Sequence, residues 1–232
     1  MSTAIPLESD MNWWWYRSKN NYLNYIIKSN NISKDIEILE IGPGKGNNIE
    51  SLNKYGKVSV LEIEKEFIGH LYKNKFVEDA LIYQSFEEID KKYDLIVLLD
   101  VLEHIRDTDL FLKNISQHLK TNGNVIISVP AYNSLWSDHD VKLKHIKRYT
   151  WSKLYEELND FFLINKRYGM NYILLPIRFF QLRVLKASTT LNETSDLVNE
   201  FLYFIAKIEN ILLRMRFNPK FGISLYLICS KK

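Results

Sequence analysis

Two histidines and neighbouring aspartates between residues 131 and 149 have the chemistry needed to move a proton. His139 and His145 are two of the five histidines in the chain, and Asp138 and Asp140 flank the first of them. Because a free imidazole titrates near pH 6.5, a histidine can take a proton from a hydroxyl group close to neutrality. Either aspartate would orient the ring. The stretch indicates a general base, and the sequence leaves open which histidine it is.

The same stretch carries groups suited to contact a substrate. Lys147 and Arg148 could bind a phosphate or carboxylate. The other candidate contact residues there are aromatic: Tyr132, Trp136 and Tyr149. A metal ion could use these histidines together with Asp140, but no compact HxxxH or CxxC pattern supports it. The sequence therefore predicts no metal.

A glycine-rich turn gives the strongest ligand-binding pattern. Gly42, Gly44 and Gly46 follow an apolar run and precede a helical pattern. Glycines let the backbone turn tightly and approach a ligand at a helix N-terminus. A dinucleotide fingerprint would place glycine at Asn47, and a Walker loop would end in lysine followed by serine or threonine. The pattern argues against a Walker loop and disfavours NAD without excluding it.

Carboxylates stand at the ends of the first two apolar runs. Glu40 closes the first, and Glu62 closes the second, 20 residues past Gly42. A carboxylate at the second position can accept both hydroxyls of a ribose. Ser85 and Phe86 precede the next run and could bracket an adenine ring.

These residues need a framework of alternating strands and helices to bring them together. Apolar runs rich in β-branched residues predict strands buried on both faces at 36–41, 58–61, 95–99 and 125–129. Helical patterns separate them, at about 47–55, 64–74 and 107–120, which predicts a parallel sheet. Gly123 after Leu119 predicts a helix C-cap. We expect a loop over 131–149. Beyond it we expect a helix at 151–159, a strand at 161–168, helical segments at 172–186 and 196–215, and a strand at 223–229.

Composition limits the class of protein. The 232 residues are 46% hydrophobic and 25% charged, as in globular domains, and a net charge of +3 does not suggest nucleic acid as a partner. The single cysteine, Cys229, excludes an internal disulfide and suits a reducing compartment. No basic start leads into an apolar core, and no apolar run reaches the roughly 20 residues that cross a bilayer. The sequence predicts a cytoplasmic protein.

The ordered set of segments resembles the class I S-adenosylmethionine-dependent methyltransferases. The matching segments are ILEIGPGKG (38–46), VLEIE (60–64), YQSFEEI (83–89), YDLIVLLDVLEHIRD (93–107) and GNVIISVP (123–130). The resemblance implies a Rossmann-like α/β fold: a mostly parallel seven-stranded sheet with an antiparallel last strand, helices on both faces and a helical insertion before that strand. It implies S-adenosylmethionine as the cofactor.

The resemblance also implies roles for the residues at the strand ends. The three glycines would pass the methionyl part of the cofactor. Glu40 would lie near its ammonium group, and Glu62 would bind its ribose. Ser85 and Phe86 would flank the adenine, and Asp100 completes the expected cofactor-binding set. The segment at 100–103 lacks the Asn/Asp-Pro-Pro-Tyr pattern of enzymes that methylate bases, which again argues against nucleic acid.

Residues 136–150 (WSDHDVKLKHIKRYT) are similar to a stretch of a bacterial subgroup often associated with surface-polysaccharide or lipid-linked glycan gene clusters. This resemblance implies O-methylation of a sugar, a glycan precursor or a related small anionic metabolite. Two alternatives stay open: a lipid or quinone-type acceptor at the membrane surface, with Arg178, Arg183 and Lys186 toward anionic headgroups, or a cofactor-binding protein without catalysis. A monomer and a homodimer are both compatible with the sequence.

The subgroup also begins with an aromatic segment, matched here within Trp13–Lys19 (WWWYRSK). We expect a helix folded across the cleft, with Trp14, Tyr16 and Arg17 contacting the acceptor and Lys19 facing the acceptor or the surface. The expected organisation is one domain over 1–232. It comprises a lid at 1–30, a cofactor-binding half at 31–130, and an acceptor-binding half at 131–232 with a helical insertion at about 170–216.

Overall fold

The computed structural model describes residues 13–78, 81–183 and 195–232. Residues 1–12 of the expected lid lie outside the described residues. So do residues 184–194 of the expected helical insertion, which include Lys186.

The strands form one seven-stranded sheet in the order β3-β2-β1-β4-β5-β7-β6. The first five strands are parallel, and β7 runs antiparallel to both β5 and β6. Their bounds are β1 Ile36–Ile41, β2 Gly56–Leu61, β3 Ile82–Tyr83, β4 Tyr93–Leu99, β5 Leu119–Pro130, β6 Phe162–Met170 and β7 Ser224–Lys231. The expected mostly parallel sheet with an antiparallel last strand is confirmed.

Helices cover both faces of the sheet. They are α1 Trp14–Ser29, α2 Ile49–Leu52, α3 Lys65–Leu71, α4 Thr108–His118, α5 Asp138–Lys142, α6 Trp151–Leu158, α7 Leu175–Arg183 and α8 Asp196–Arg214. In β4, Leu95 and Val97 pack under the layer that holds α1 and α8, whereas Ile96 and Leu98 pack under the layer that holds α4 and α6. Burial on both faces explains why the central strands read as continuous apolar runs.

Two local predictions were wrong. Gly123 does not cap a helix: α4 ends at His118, and Gly123 lies inside β5. A Cβ at Gly123 would lie 2.7 Å from the Leu119 Cδ1 atom, so close packing explains the glycine there. The stretch 131–149 is not all loop, because Ser137 and Asp140 form a capping box that begins the short helix α5.

No helix among the described ranges is long and apolar enough to cross a membrane.

Candidate functional site

The carboxyl ends of the parallel strands meet at one edge of the sheet, and the glycine turn after β1 lies there. Gly42, Gly44 and Gly46 all have positive φ angles, of 66°, 56° and 81°, a backbone region that residues with a Cβ rarely adopt. A Cβ at Gly42 would lie 2.8 Å from the Val101 Cγ2 atom. At Gly44 a Cβ would have no described atom within 4 Å, so the turn leaves open space on that side.

Glu62 binds the turn from the end of β2. Its Oε2 atom accepts a hydrogen bond from the Gly44 amide at 3.0 Å, and its Oε1 atom accepts from the amides of Ile63 and Glu64 at 2.9 and 3.0 Å. Burial raises the pKa of Glu62, and these three amides oppose the shift. The carboxylate is therefore fixed in orientation before any ligand arrives.

Glu40 lies buried at the end of β1. Its Oε1 atom accepts from the Asn48 side chain at 2.7 Å, while its Oε2 atom has no hydrogen-bond partner among the described residues. Burial raises the pKa of Glu40 to about 7. A buried carboxylate oxygen without a partner is suited to a cationic ligand. Sequence reasoning missed Asn48, because an asparagine after a glycine turn carries no distinctive signal.

Asp100 follows β4 and is tied to the first helix. The Lys19 Nζ atom lies 2.7 Å from Asp100 Oδ2, and the Ser128 hydroxyl donates to Oδ1 at 2.9 Å. Although burial acts to raise it, the Lys19 ammonium holds the pKa of Asp100 below its usual range. Lys19 itself is buried, so the expectation that it faces the surface was wrong, and the alternative that it faces the acceptor stays a prediction.

The aromatic residue expected beside adenine has neighbours on α4. The Phe86 ring stacks on His118 with 5.6 Å between centroids and meets Phe111 edge-on at 5.7 Å. Ser85 precedes it in extended conformation and is half-buried. Their contact with a cofactor stays a prediction.

The first helix packs against α8. Trp14 is buried, and its amide donates to the Asn199 side chain at 2.7 Å. Arg17 forms an ion pair with Glu200. The acceptor contacts of Trp14 and Arg17 stay predictions. Tyr16 is half-buried.

Asp140 organises the segment after β5. Its Oδ1 atom lies 2.8 Å from His145 Nδ1, and Arg148 donates to both carboxylate oxygens at 2.7 and 3.1 Å. Although burial opposes it, these hydrogen bonds hold the pKa of Asp140 well below its usual range. Of the two candidate aspartates, Asp140 is the one that orients an imidazole. His139, on α5, is half-buried, and burial lowers the pKa of its imidazole.

Two residues expected to bind the acceptor have structural partners instead. Arg148 is buried, anchors Asp140 and donates to the Ala131 carbonyl at 2.9 Å. Tyr149 is fully buried, and its hydroxyl donates to Glu157 at 2.9 Å. No observation supports the expected acceptor contact of these two residues, because periodicity does not show which polar side chains close a buried network.

Tyr132 and Trp136, the other aromatic candidates in this segment, keep accessible surface. Tyr132 is half-buried in a left-handed conformation with φ of 54°, and Trp136 is 38% exposed. Both remain available to line an acceptor pocket.

Glu103, His104 and His145 form a cluster that sequence reasoning did not assemble. Each offers one ligand-type atom, and these atoms lie within 4.8 Å of one another. Glu103 is fully buried, and neither of its carboxylate oxygens has a hydrogen-bond partner in the part of the chain that the structure describes. Burial raises the pKa of Glu103 and lowers that of His104. The three residues come from two segments that are distant along the chain, so no compact motif reveals them.

Comparisons with known proteins agree on one class. A family model described as a methyltransferase domain matches residues 16–166. The ubiquinone biosynthesis O-methyltransferase of Rickettsia felis is 32% identical over 136 residues, which cover 50% of this chain and 55% of that protein. The chain therefore spans about half the length of the curated relatives it matches.

Solved structures share the fold at low identity. A putative sarcosine dimethylglycine methyltransferase from Galdieria sulphuraria has a TM-score of 0.58 and 14% identity, covering 91% of this chain and 84% of that one. An S-adenosylmethionine-dependent methyltransferase from Clostridium acetobutylicum has a TM-score of 0.57 and 16% identity, covering 93% and 91%. These similarities support the Rossmann-like fold.

Proposed function

The chain belongs to the methyltransferase domain family, and from this premise we propose that it is an S-adenosylmethionine-dependent enzyme that methylates a hydroxyl oxygen of a quinol-type aromatic acceptor. The curated relatives are ubiquinone biosynthesis O-methyltransferases, which favours the quinone alternative drawn from the sequence. A sugar or glycan hydroxyl, which sequence reasoning preferred, finds no support among these relatives. It remains the second candidate, because the site described below would serve either hydroxyl.

The cofactor would lie across the strand ends, and its sulfonium supplies the methyl group. The Glu40 Oε2 atom, which has no hydrogen-bond partner among the described residues, would face the cofactor ammonium. Glu62 already accepts three amide hydrogen bonds, and a carboxylate offers about four acceptor positions. Binding both ribose hydroxyls would therefore displace one of these amide hydrogen bonds. We propose that the Gly44 amide is displaced, because it alone of the three amides binds the Oε2 atom.

Transfer to a hydroxyl oxygen is fast only when that hydroxyl loses its proton. We propose that His145 carries this function and that Asp140 positions it. A hydrogen bond donated by Nδ1–H to the Asp140 carboxylate would leave Nε2 as the unprotonated nitrogen, and the Glu103 Oε1 atom lies 3.9 Å from it. Sequence reasoning left His139 and His145 as alternatives; the contact with Asp140 favours His145.

The same cluster fits a divalent cation, and this fit is a reason to revise the expectation of no metal. A buried carboxylate with two unpartnered oxygens requires a positive charge or a proton. Glu103, His104 and His145 are ligand types that divalent transition metals accept. A cation held there would lower the pKa of a hydroxyl bound to it. Asp140 has the same positioning role whether Nε2 takes a proton or ligates the cation.

The proposal depends on one observation: neither carboxylate oxygen of Glu103 has a hydrogen-bond partner among the described residues, and His145 lies beside this carboxylate. We propose that a rim formed by the half-buried Tyr132 and the exposed Trp136 lies over this cluster, and that α1 of the expected lid and α8 of the expected insertion close the acceptor side. A flat aromatic acceptor fits such a rim better than a heavily hydrated sugar.

The test is methyl transfer from labelled S-adenosylmethionine to a catechol-type acceptor, with a monosaccharide panel assayed in parallel. Methylation of the aromatic hydroxyl, lost in Glu103→Gln with cofactor affinity retained, supports the proposal. Turnover on the sugars alone would replace it with the glycan function. Cofactor binding without turnover on either panel would support the non-catalytic alternative.

A further inference from the structure

One face of α8 carries a stripe of large apolar side chains. At 3.6 residues per turn, six of them fall within a sector about 80° wide. Five of the six are between 57% and 85% exposed, and Ile208 is half-buried. The stripe consists of Leu197, Phe201, Phe204, Ile208, Ile211 and Met215. A continuous exposed stripe of this kind marks an interaction surface.

The opposite face of α8 is already occupied by the first helix. Arg17 lies over the Tyr203 ring at 3.5 Å, and the Tyr25 hydroxyl donates to the Leu213 carbonyl at 2.9 Å. The helix is therefore held on the domain by one side while it presents the stripe on the other.

The stripe is symmetric along the helix. Its six residues form three pairs, and the two members of each pair lie at equal distances along the sequence from Ala206. The pairs are Leu197 and Met215 (nine residues), Phe201 and Ile211 (five residues), and Phe204 and Ile208 (two residues). A second copy packed antiparallel would place each residue against its mirror position, so that large apolar side chains meet at every level. Self-complementarity of this kind is what a two-fold interface requires.

Charges at the two ends of one flank of the stripe also have a complementary arrangement, whereas the two Lys207 side chains of such a pair would lie near each other beside the axis. Asp196 and Glu200 stand in the N-terminal half, and Lys207 and Arg214 in the C-terminal half, all within a sector about 40° wide. A two-fold axis across the helices brings the same flank of both copies together. Arg214 of one copy is then level with residue 198 of the other, about 3 Å along the axis from Asp196 and from Glu200, of which Glu200 is already paired with Arg17 of its own copy. A parallel pair would turn these flanks to opposite sides and lose the match.

From these two patterns we propose that the protein forms a homodimer in which two copies of α8 pack antiparallel, with the two-fold axis crossing the stripe at the level of Ala206. The apolar stripe supplies the contact area, and the acidic and basic ends of the flank set the direction. A lipid surface would use the apolar stripe but would gain nothing from the mirror symmetry or from the acidic end.

Cysteine cross-linking tests the direction of the pair. Leu197→Cys and Met215→Cys proteins are oxidised separately and after mixing; the native Cys229 is buried. We expect a disulfide-linked dimer in the mixture only, because equivalent positions of two antiparallel copies are about 27 Å apart. Dimers in the Leu197→Cys sample alone, or none in the mixture, would overturn the arrangement.

Sedimentation velocity tests the surface itself. Phe204→Glu is expected to weaken dimerisation at least tenfold, whereas the matched control Phe179→Glu, an exposed phenylalanine on α7, keeps it. Arg214→Glu should also weaken the dimer, and adding Asp196→Arg should restore it. A monomeric wild type that floats with phosphatidylglycerol vesicles, and stops floating in Phe204→Glu, would assign the stripe to lipid and reject the dimer. None of these measurements depends on the acceptor.

Discussion

The Lys19 ammonium lies 2.7 Å from the Asp100 carboxylate, so an ion pair joins the first helix to the strand end beside the glycine turn. Both partners keep little contact with solvent: their side chains are 8% and 26% exposed. Breaking such a pair leaves the remaining charge poorly solvated, which costs more than the loss of a surface ion pair.

Lys19→Met should therefore lower the free energy of unfolding by up to about 3 kcal/mol, because Asp100 loses its counter-charge. Lys28→Met is the matched control, since Lys28 lies on the exposed side of the same helix. Denaturant unfolding of the three proteins measures the difference. Equal losses in the two variants would show that the ion pair contributes nothing specific.

Glu62→Ala should abolish cofactor binding measured by calorimetry. The substitution removes the proposed ribose acceptor and also releases the amides that Glu62 holds. Glu64→Ala, two residues further and exposed, should bind the cofactor like wild type. Undiminished affinity in Glu62→Ala would contradict the assignment of this carboxylate.

Cofactor affinity should rise as the pH increases through about 7, the pKa to which burial raises Glu40. Below that pH the carboxyl is mostly protonated and cannot pair with the cofactor ammonium; above it the carboxylate is available. Calorimetry between pH 6 and 8 measures the trend. Glu40→Gln should bind more weakly and show a flatter profile, and an unchanged profile would remove Glu40 from the binding site.

His145→Ala should slow turnover by about 10²–10⁴-fold and leave cofactor affinity intact, as expected for a proton-transferring group or its equivalent. His139→Ala is the matched control and should retain most of the rate, because Asp140 orients His145. If His139→Ala is the slower enzyme, the two roles are exchanged. Full rates in both variants would mean that alignment alone drives the reaction.

Removal of divalent cations shows whether the Glu103 cluster binds a cation or whether His145 in it acts as a general base. After dialysis against EDTA we expect turnover to fall at least tenfold and to return with Mg²⁺, Mn²⁺ or Zn²⁺. Metal analysis of the untreated protein, with Glu103→Gln as the control, measures occupancy independently of turnover. A rate unchanged by EDTA would identify His145 as a general base without a metal.

The sheet and the glycine turn could be predicted from sequence because both depend on local signals. Buried parallel strands have continuous apolar runs, and Gly42, Gly44 and Gly46 mark left-handed backbone. The cluster around Glu103 could not be predicted, because its members become neighbours only through tertiary packing. The same packing buried Arg148 and Tyr149, whose side-chain types had suggested an exposed role.

The position of β7 between β5 and β6 has a consequence for how the chain folds. Within the part of the chain that the structure describes, β6 pairs only with β7, which follows it in sequence after α7 and α8. The outer edge of β5 therefore stays open until a strand roughly a hundred residues downstream arrives, and pairings of such long separation form slowly. During synthesis the parallel strands β1 to β5 would be assembled before β7 is made. The free edge of β5 could then pair with a strand of another chain.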